Sequence, residues 1–252
     1  MIDLHCHLLH SIDDGPSDLE GSVMLCDLAA ENALETAIAT PHLRDLTEMP
    51  AFLAARDERL GELQKELKDR NIPLRVLPGA EVYASDDLFF CRDLAGASLN
   101  GSRYILIEFD FSGLSINRVL RYTDEVFKAG LIPVIAHTER YAFFQEDYES
   151  LNFLQDRGVL FQVNALSLAG GGGREEFYLA YEMVISDMAS FIATDAHSHR
   201  GRPNNMLAML RSFPPEIKRS TLDYMLNAAP QAVIDNQALP HAVRGEIYRR
   251  RR

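Results

Sequence analysis

The sequence predicts an α/β fold of parallel strands, on three observations. Short apolar, β-branched segments alternate with helical patterns along nearly the whole chain, an alternation that requires parallel strands with helical crossovers. The 252 residues, 47% of them hydrophobic, suffice for one full core, and no low-complexity linker divides them. Imidazoles and carboxylates recur at the C-terminal ends of successive strands, the face on which parallel barrels carry their sites. About seven strands in one domain of this length favour a closed or nearly closed barrel, with a doubly wound open sheet as the alternative.

The first strand covers residues 2–7, where Asp3-Leu4-His5-Cys6-His7 sets two histidines two residues apart. On a strand both face one side. A helix over 20–33 follows, with Ser17 as its N-cap. Ala37-Ile38-Ala39-Thr40 is the next strand, 50–70 the next helix and Leu74-Arg75-Val76-Leu77 the next strand. Tyr104-Ile105-Leu106-Ile107 precedes a helix over 115–129, capped by Ser115 and ended by Gly130 before the strand Ile132-Pro133-Val134-Ile135-Ala136. A helix over 146–157 stops at Gly158, ahead of Val159-Leu160-Phe161-Gln162-Val163, and a helix over 175–188 leads to Phe191-Ile192-Ala193-Thr194. Residues 203–252 read as a helical extension packed on the barrel, punctuated by Pro214, Pro215, Pro230 and Pro240 and ending in Arg249 to Arg252. The whole of 1–252 is expected to form a single domain.

Composition excludes several classes. A formal charge of −12 and a pI near 5.1 disfavour binding to nucleic acid or to an anionic membrane. Cys6, Cys26 and Cys91 are an odd number at wide spacing, so neither a disulfide framework nor a thiolate zinc site is expected, and a reducing cytoplasm fits. The N-terminus lacks a basic, then apolar, leader, and no run approaches the roughly 18 apolar residues of a membrane span. A thiol phosphatase needs arginine six positions after its cysteine, whereas Ile12, Asn32 and Ala97 stand there. The run Gly170 to Gly173 lacks the lysine and hydroxyl of a nucleotide-binding loop and reads as a mobile loop before the helix at 175.

The strand-end residues are His5, His7, His42, Glu81, Glu108, His137, Asp195 and His197, and Asp14 in the turn Asp13-Asp14-Gly15 lies close to His7. Singly each has a plainer reading. His42 could be solvated, Glu81 exposed by the exit Pro78-Gly79-Ala80, and Glu108 paired with an arginine. Gathered in one mouth they would repel one another unless cations held them, so a polynuclear metal site is the economical reading. Two or three metal ions lower the pKa of bound water and clamp the oxygens of a displacement at phosphorus, which makes phosphate ester hydrolysis the natural reaction. Arg140 and Arg202 stand near the ligands and suit the non-bridging oxygens, the alternative being ordinary surface arginines. His10 and His199 are weaker candidates and His241 reads as structural. Cys6, between two ligands, points the other way.

The motifs Asp3-Leu4-His5-Cys6-His7, Ile12-Asp13-Asp14-Gly15-Pro16, Ala39-Thr40-Pro41-His42, Gly79-Ala80-Glu81, Leu106-Ile107-Glu108-Phe109, Ala136-His137-Thr138-Glu139-Arg140-Tyr141 and Thr194-Asp195-Ala196-His197 occur in that order. Together they resemble the PHP (polymerase and histidinol phosphatase) superfamily and, within it, the CpsB/CapC/YwqE-type bacterial tyrosine phosphatases of capsular and exopolysaccharide gene clusters. The resemblance runs from residue 3 to about 205. It implies a distorted seven-stranded (β/α)7 barrel with three metal ions at the strand ends. His5, His7, Glu81 and Asp195 would hold one ion, Glu81, Glu108 and His137 a second, and Asp14, His42 and His197 a third. Manganese is the implied metal, with iron or zinc also accepted, and Arg140 and Arg202 would hold the phosphate. The implied reaction is hydrolysis of phosphotyrosine on the tail of a membrane-bound polysaccharide autokinase, by in-line attack of metal-held hydroxide without a covalent enzyme intermediate. The terminal arginines would then sit near the membrane surface. His10 departs from a common proline, Leu43 from a polar or aromatic residue and Thr138 from a proline, and none of these removes a ligand. The rival readings are another PHP phosphoesterase, acting on histidinol phosphate, nucleotides or a DNA end, and a noncatalytic metal-stabilised subunit, which would have lost a ligand or two.

Overall fold

Strand and helix alternate as the apolar periodicity requires. The computed structural model describes residues 1–91, 93–240 and 245–248, so His241 and Arg249 to Arg252 lie outside the described residues. The order is β1 (Ile2–Cys6), α1 (Leu19–Glu31), β2 (Thr36–Ala39), β3 (His42–Leu43), α2 (Met49–Asp69), β4 (Arg75–Pro78), β5 (Glu81–Tyr83), β6 (Tyr104–Glu108), α3 (Ile116–Lys128) and β7 (Ile132–Ile135). It continues with α4 (Ala142–Glu146), α5 (Tyr148–Asp156), β8 (Leu160–Asn164), α6 (Ala165–Leu168), α7 (Arg174–Ile185), β9 (Phe191–Ala193), α8 (Met206–Leu210), α9 (Arg219–Asp223) and α10 (Ala229–Ile234).

All pairings between these strands are parallel, in the orders β1-β2-β4 and β3-β5-β6-β7-β8-β9. The two sheets are parts of one curl. β2 and β3 flank Thr40-Pro41, and β4 and β5 flank Gly79-Ala80, so each pair is one stave broken in the middle. Where the sequence predicts single strands at 37–40 and 74–77, the structure has the first halves of these broken staves. Pro41 has no N–H for the ladder, while its carbonyl accepts the Glu81 N–H at 3.1 Å. Gly79 lies where the staves approach too closely for a side chain, since a Cβ there would stand 2.7 Å from Ile38 Cγ2.

The outer edges of the curl meet at their C-terminal ends. Asp195 N–H donates to His5 O at 2.9 Å, and His7 N–H donates to Ala196 O at 2.8 Å. A doubly wound open sheet has no such seam, so that alternative falls away. β1 carries one residue more than β2 between matched positions: Asp3 pairs with Ala37, but Cys6 pairs with Ala39. Leu4, inside this bulge, joins the inner apolar cluster with Ile38, Leu106, Val134 and Phe191. Cys6, after it, joins the outer layer of helices. A bulge re-aims side chains, and here it leaves Leu4, His5 and His7 all pointing inward.

The helices start and stop for local reasons, with one correction. Asp18, not Ser17, caps α1: its Oδ1 accepts the Gly21 N–H at 2.8 Å, because Asp18 is the last extended residue before the helix. Ser115 caps α3 through the Arg118 N–H, and Gly130 and Gly158 take the left-handed conformation after α3 and α5. The helix expected over 146–157 is α5, capped by the Asp147 carboxylate, and a short helix not read from the sequence, α4, precedes it. In the tail, α10 places Ala229, Val233 and Ile234 in the inner cluster, plugging the end of the curl opposite the strand C-termini.

Candidate metal centre

All nine residues read from the sequence as ligands reach one place at the C-terminal strand ends. Glu81, where β5 begins, is the hub and is fully buried. Its Oε2 has His42 Nδ1 at 3.1 Å, His5 Nε2 at 3.2 Å and His7 Nε2 at 3.3 Å, and its Oε1 has His137 Nε2 at 2.9 Å. Glu108, closing β6, lies 3.5 Å from His137 and 3.6 Å from His42. Asp195 Oδ1 stands 3.5 Å from His5 Nε2 and 3.6 Å from His7 Nε2. Asp14, on the rim, reaches His197 Nε2 at 3.3 Å and His42 Nε2 at 3.5 Å. Three sets of ligand atoms lie close enough to share an ion: His5, His7 and Glu81; His42, Glu81 and Glu108; and His7, Asp14, His42 and His197.

These atoms fit cations better than they fit one another. Glu81 Oε2 and His197 Nε2 are buried without a hydrogen bond, although imidazole nitrogens crowd the first. His5 Nε2 and His7 Nε2 face each other at 3.3 Å, and two ring nitrogens both turned inward have lone pairs that only a proton or a cation reconciles. Without metal the protons do that work. Burial alone would lower the His7 pKa, but Asp13 and Glu81 lift it to about 10. Burial likewise opposes, and Glu108 and Glu81 overcome, a rise of His137 to about 10. Burial raises an isolated Asp195, but His5 and His137 hold it down to about 2. Burial and the neighbouring His7 push His197 down to about 4.

Two ligands sit on backbone that ordinary residues avoid: His137 at φ 31° and Asp195 at φ 53°. Such positions persist only where surroundings over-determine them, and here a chain of buried amides does so. Gln162 Oε1 accepts the His137 main-chain N–H at 2.7 Å. A main-chain nitrogen only donates, so the atom facing it is the amide oxygen. The same oxygen faces His5 Nδ1 at 3.0 Å, so Nδ1 carries the hydrogen and Nε2 turns its lone pair to the centre. Gln162 Nε2 then donates to Asn164 Oδ1 at 2.8 Å, which leaves Asn164 Nδ2 to donate to Asp195 Oδ2 at 3.1 Å. One backbone N–H thus sets the polarity of the whole row. On the other side Asp13 Oδ2 takes His7 Nδ1 at 2.6 Å and also the His42 N–H at 3.0 Å. His197 Nδ1 donates to Asp195 O at 2.8 Å.

The sequence reading missed Gln162, Asn164 and Asp13. Its signal for the first two was available: they are the polar residues at alternate positions of β8, on the face opposite Phe161 and Val163. Glu139 was missed as well. It is buried, accepts from Asn164 N and Ser167 Oγ, and burial raises its pKa to about 7. Arg140 and Arg202 both turn to Asp195 Oδ2, at 3.5 and 3.3 Å, so both guanidiniums border the centre. His10 is not solvated: it is buried, its Nε2 faces Glu62 at 3.2 Å on α2, and it joins no ligand group among the described residues. His199 belongs to no ligand group among the described residues. Cys6 is buried with its Sγ toward Ile38 O at 3.4 Å, away from the ligands.

A curled parallel sheet with imidazoles and carboxylates converging at its strand ends defines a metal-dependent hydrolase of the barrel type. The chain belongs to the family described as capsular polysaccharide synthesis, CpsB/CapC, which matches residues 1–235. It is 35% identical over 246 residues to the tyrosine-protein phosphatase YwqE of Bacillus subtilis, covering 95% of this chain and 93% of that one. It is 31% identical to the putative tyrosine-protein phosphatase CapC of Staphylococcus aureus, covering 81% and 79%. Among solved structures, one described as YwqE from Bacillus subtilis and CpsB from Streptococcus pneumoniae, metal-dependent tyrosine phosphatases, superposes with a TM-score of 0.84 at 30% identity, over 99% of this chain and 100% of that one. The organophosphorus hydrolase of Deinococcus radiodurans, at 11% identity and a TM-score of 0.53, shares the fold alone.

Proposed function

We infer that this chain is a metal-dependent tyrosine phosphatase that hydrolyses phosphotyrosine on a protein substrate. The observation that carries the reading is Glu81 Oε2, buried without a hydrogen bond while three imidazole nitrogens stand 3.1 to 3.3 Å away. In the proposed assignment His5, His7, Glu81 and Asp195 hold one ion, Glu81, Glu108 and His137 a second, and Asp14, His42 and His197 a third, with Glu81 shared. Three manganese ions suit this mixed set of imidazoles and carboxylates, and iron or zinc could replace them. When bound, such ions lower the pKa of water toward neutrality and clamp the oxygens of an in-line displacement at phosphorus.

The remaining work falls to the chain. Arg140 and Arg202, both drawn toward Asp195, orient the non-bridging phosphate oxygens through paired N–H donors. Gln162 and Asp13 keep His5 and His7 in the tautomer that directs Nε2 inward. A phenol, with a pKa near 10, leaves more readily than an alcohol, so no strong general acid is demanded of the protein. We assign the whole chain to one catalytic domain, supported by the seating of α10 in the inner cluster. The proposed substrate is the tyrosine-phosphorylated tail of a polysaccharide-synthesis autokinase, met in the cytoplasm beside the membrane. No described helix is long and apolar enough to cross a membrane.

The test compares manganese-dependent hydrolysis of a phosphotyrosyl peptide, histidinol phosphate and a nucleotide monophosphate. The phosphotyrosyl peptide should be turned over fastest, and chelation should stop the reaction. Preference for histidinol phosphate or the nucleotide would overturn the assignment.

A further inference from the structure

The loop after β6 carries an aromatic side chain that no ligand or phosphate role explains. Phe111 is 43% exposed, yet it is held firmly. Its ring lies nearly parallel to His137, with centroids 5.5 Å apart at 24°, and to Tyr141, at 5.1 Å and 19°. The loop beneath is pinned by the Phe109 N–H, which donates to Tyr141 Oη at 2.9 Å, and by Asp110 Oδ1, which accepts from Ser112 N and Oγ at 2.9 Å each. Arg140 Cζ sits 4.9 Å from the Phe111 ring centroid, while the same guanidinium reaches Asp195 Oδ2. The cation on the proposed phosphate site therefore lies over part of the Phe111 ring at the mouth, and the ring's remaining exposed surface adjoins that site.

The side next to His42 is mixed. A cavity of about 610 Å³ next to His42 is lined by Asp14, Arg44, Asp45 and Glu48 together with the apolar Ile12, Leu43 and Phe52. An aryl ring leaving the centre on that side meets a mixed wall whose charged groups must be desolvated, and on the Phe111 side it meets an aromatic ring already packed in place.

We propose that Phe111 is a specificity-determining residue, an aryl platform that makes the centre select aryl over alkyl phosphate monoesters. The proposal rests on the phosphatase reading and adds what that reading leaves open, the part of the substrate recognised beyond its phosphate. In an aryl phosphate a single oxygen joins ring to phosphorus, so a phosphate held by Arg140 leaves its ring within reach of Phe111. An alkyl chain of the same length offers no π face for an offset stack. Because Phe111 is already packed on His137 and Tyr141, the stack requires little ordering of the protein on binding.

Two ratios test this on the metal-loaded protein. The first is kcat/KM for a phosphotyrosyl peptide over that for the matching phosphoseryl peptide. The second is the affinity for phenylphosphonate over methylphosphonate, read by calorimetry without turnover. In Phe111→Ala both ratios should fall about three- to tenfold, the scale of one aromatic pair, and Phe111→Tyr should restore them. Metal content, measured on each variant, separates loss of the platform from damage to His137. Unchanged ratios, or equal losses for aryl and alkyl ligands, would overturn the proposal. If the wild-type chain hydrolyses neither peptide, the phosphatase reading fails, and the phosphonate ratio still decides whether Phe111 selects aryl groups.

Discussion

The buried floor of the centre and its solvent-facing rim treat their polar atoms differently. On the floor Gln162, Asn164 and Glu81 are buried, and the two amides form a row in which each donor or acceptor has a partner whose polarity is dictated by the next. On the rim the Asp14 side chain is 56% exposed and that of Arg202 39%, and their contacts, at 3.3 to 3.6 Å, are looser. The floor is built for unchanging geometry and the rim for exchange. Buried networks are strong when complete and costly when broken, whereas exposed pairs contribute about 1 kcal/mol or less. Substitutions should therefore grade steeply from floor to rim.

The largest effect should come from the hub. Glu81→Gln should lose metal and turnover together, by at least about a thousandfold in rate, since a group acting only within its cluster takes the whole function with it. Metal analysis beside rate measurement checks this, and a variant that keeps its metal and its rate would break the floor-and-rim distinction. Next come the amides. Gln162→Leu and Asn164→Ala should each weaken metal binding about 10- to 100-fold. Because both act on one row of hydrogen bonds, the double variant should lose less than the product of the two. Strict multiplicativity would show that the row does not act as a unit. Asp13→Asn, which leaves the His7 tautomer without its carboxylate, should cost about tenfold in affinity.

Protons supply a sharper comparison. In the metal-free protein the carboxylates hold His7 and His137 at about 10, above an unfolded value near 6.5. Their contribution to stability is thus complete below about 6.5 and is lost as the pH rises through about 10. Metal needs the neutral rings, so loading near pH 7 should release protons, and affinity should climb with pH across that range. Calorimetric titration of manganese in buffers of different ionisation enthalpy reads the release directly, and zero protons would contradict the protonated floor. The smallest effect on turnover belongs to His10→Ala. It removes a buried imidazole facing a half-exposed Glu62, so stability should fall by about 1 to 3 kcal/mol with kcat untouched.

Much of this was legible because it is local or periodic. The alternation of apolar runs carries the parallel sheet, and ligand types recurring at strand ends carry the centre. What was misread depended on choices between neighbours. Asp18 and Ser17 are both good caps, and only the backbone angles decide for Asp18. Asp13 and Asp14 are adjacent carboxylates, yet one fixes a histidine tautomer and the other stands among the ligands at the rim. The single strands read at 37–40 and 74–77 gave no hint that Pro41 and Gly79 break longer staves, since a close approach between staves is not written in either one.

The sequence by itself determined which residues meet, because strand periodicity and parallel crossovers bring the C-terminal ends of all strands to one face whatever the details. It carried the α/β class, the ligand types and the family motifs. Only the tertiary structure decided how the residues meet. The bulge that turns His5 and His7 inward with Leu4 is a register between β1 and β2. The tautomer of His5 is set by a residue 157 positions away, and the exposure of Phe111 by packing on His137 and Tyr141. The physical reason is common to all three: hydrogen-bond polarity, register and burial belong to pairs of distant atoms, and only folding creates those pairs.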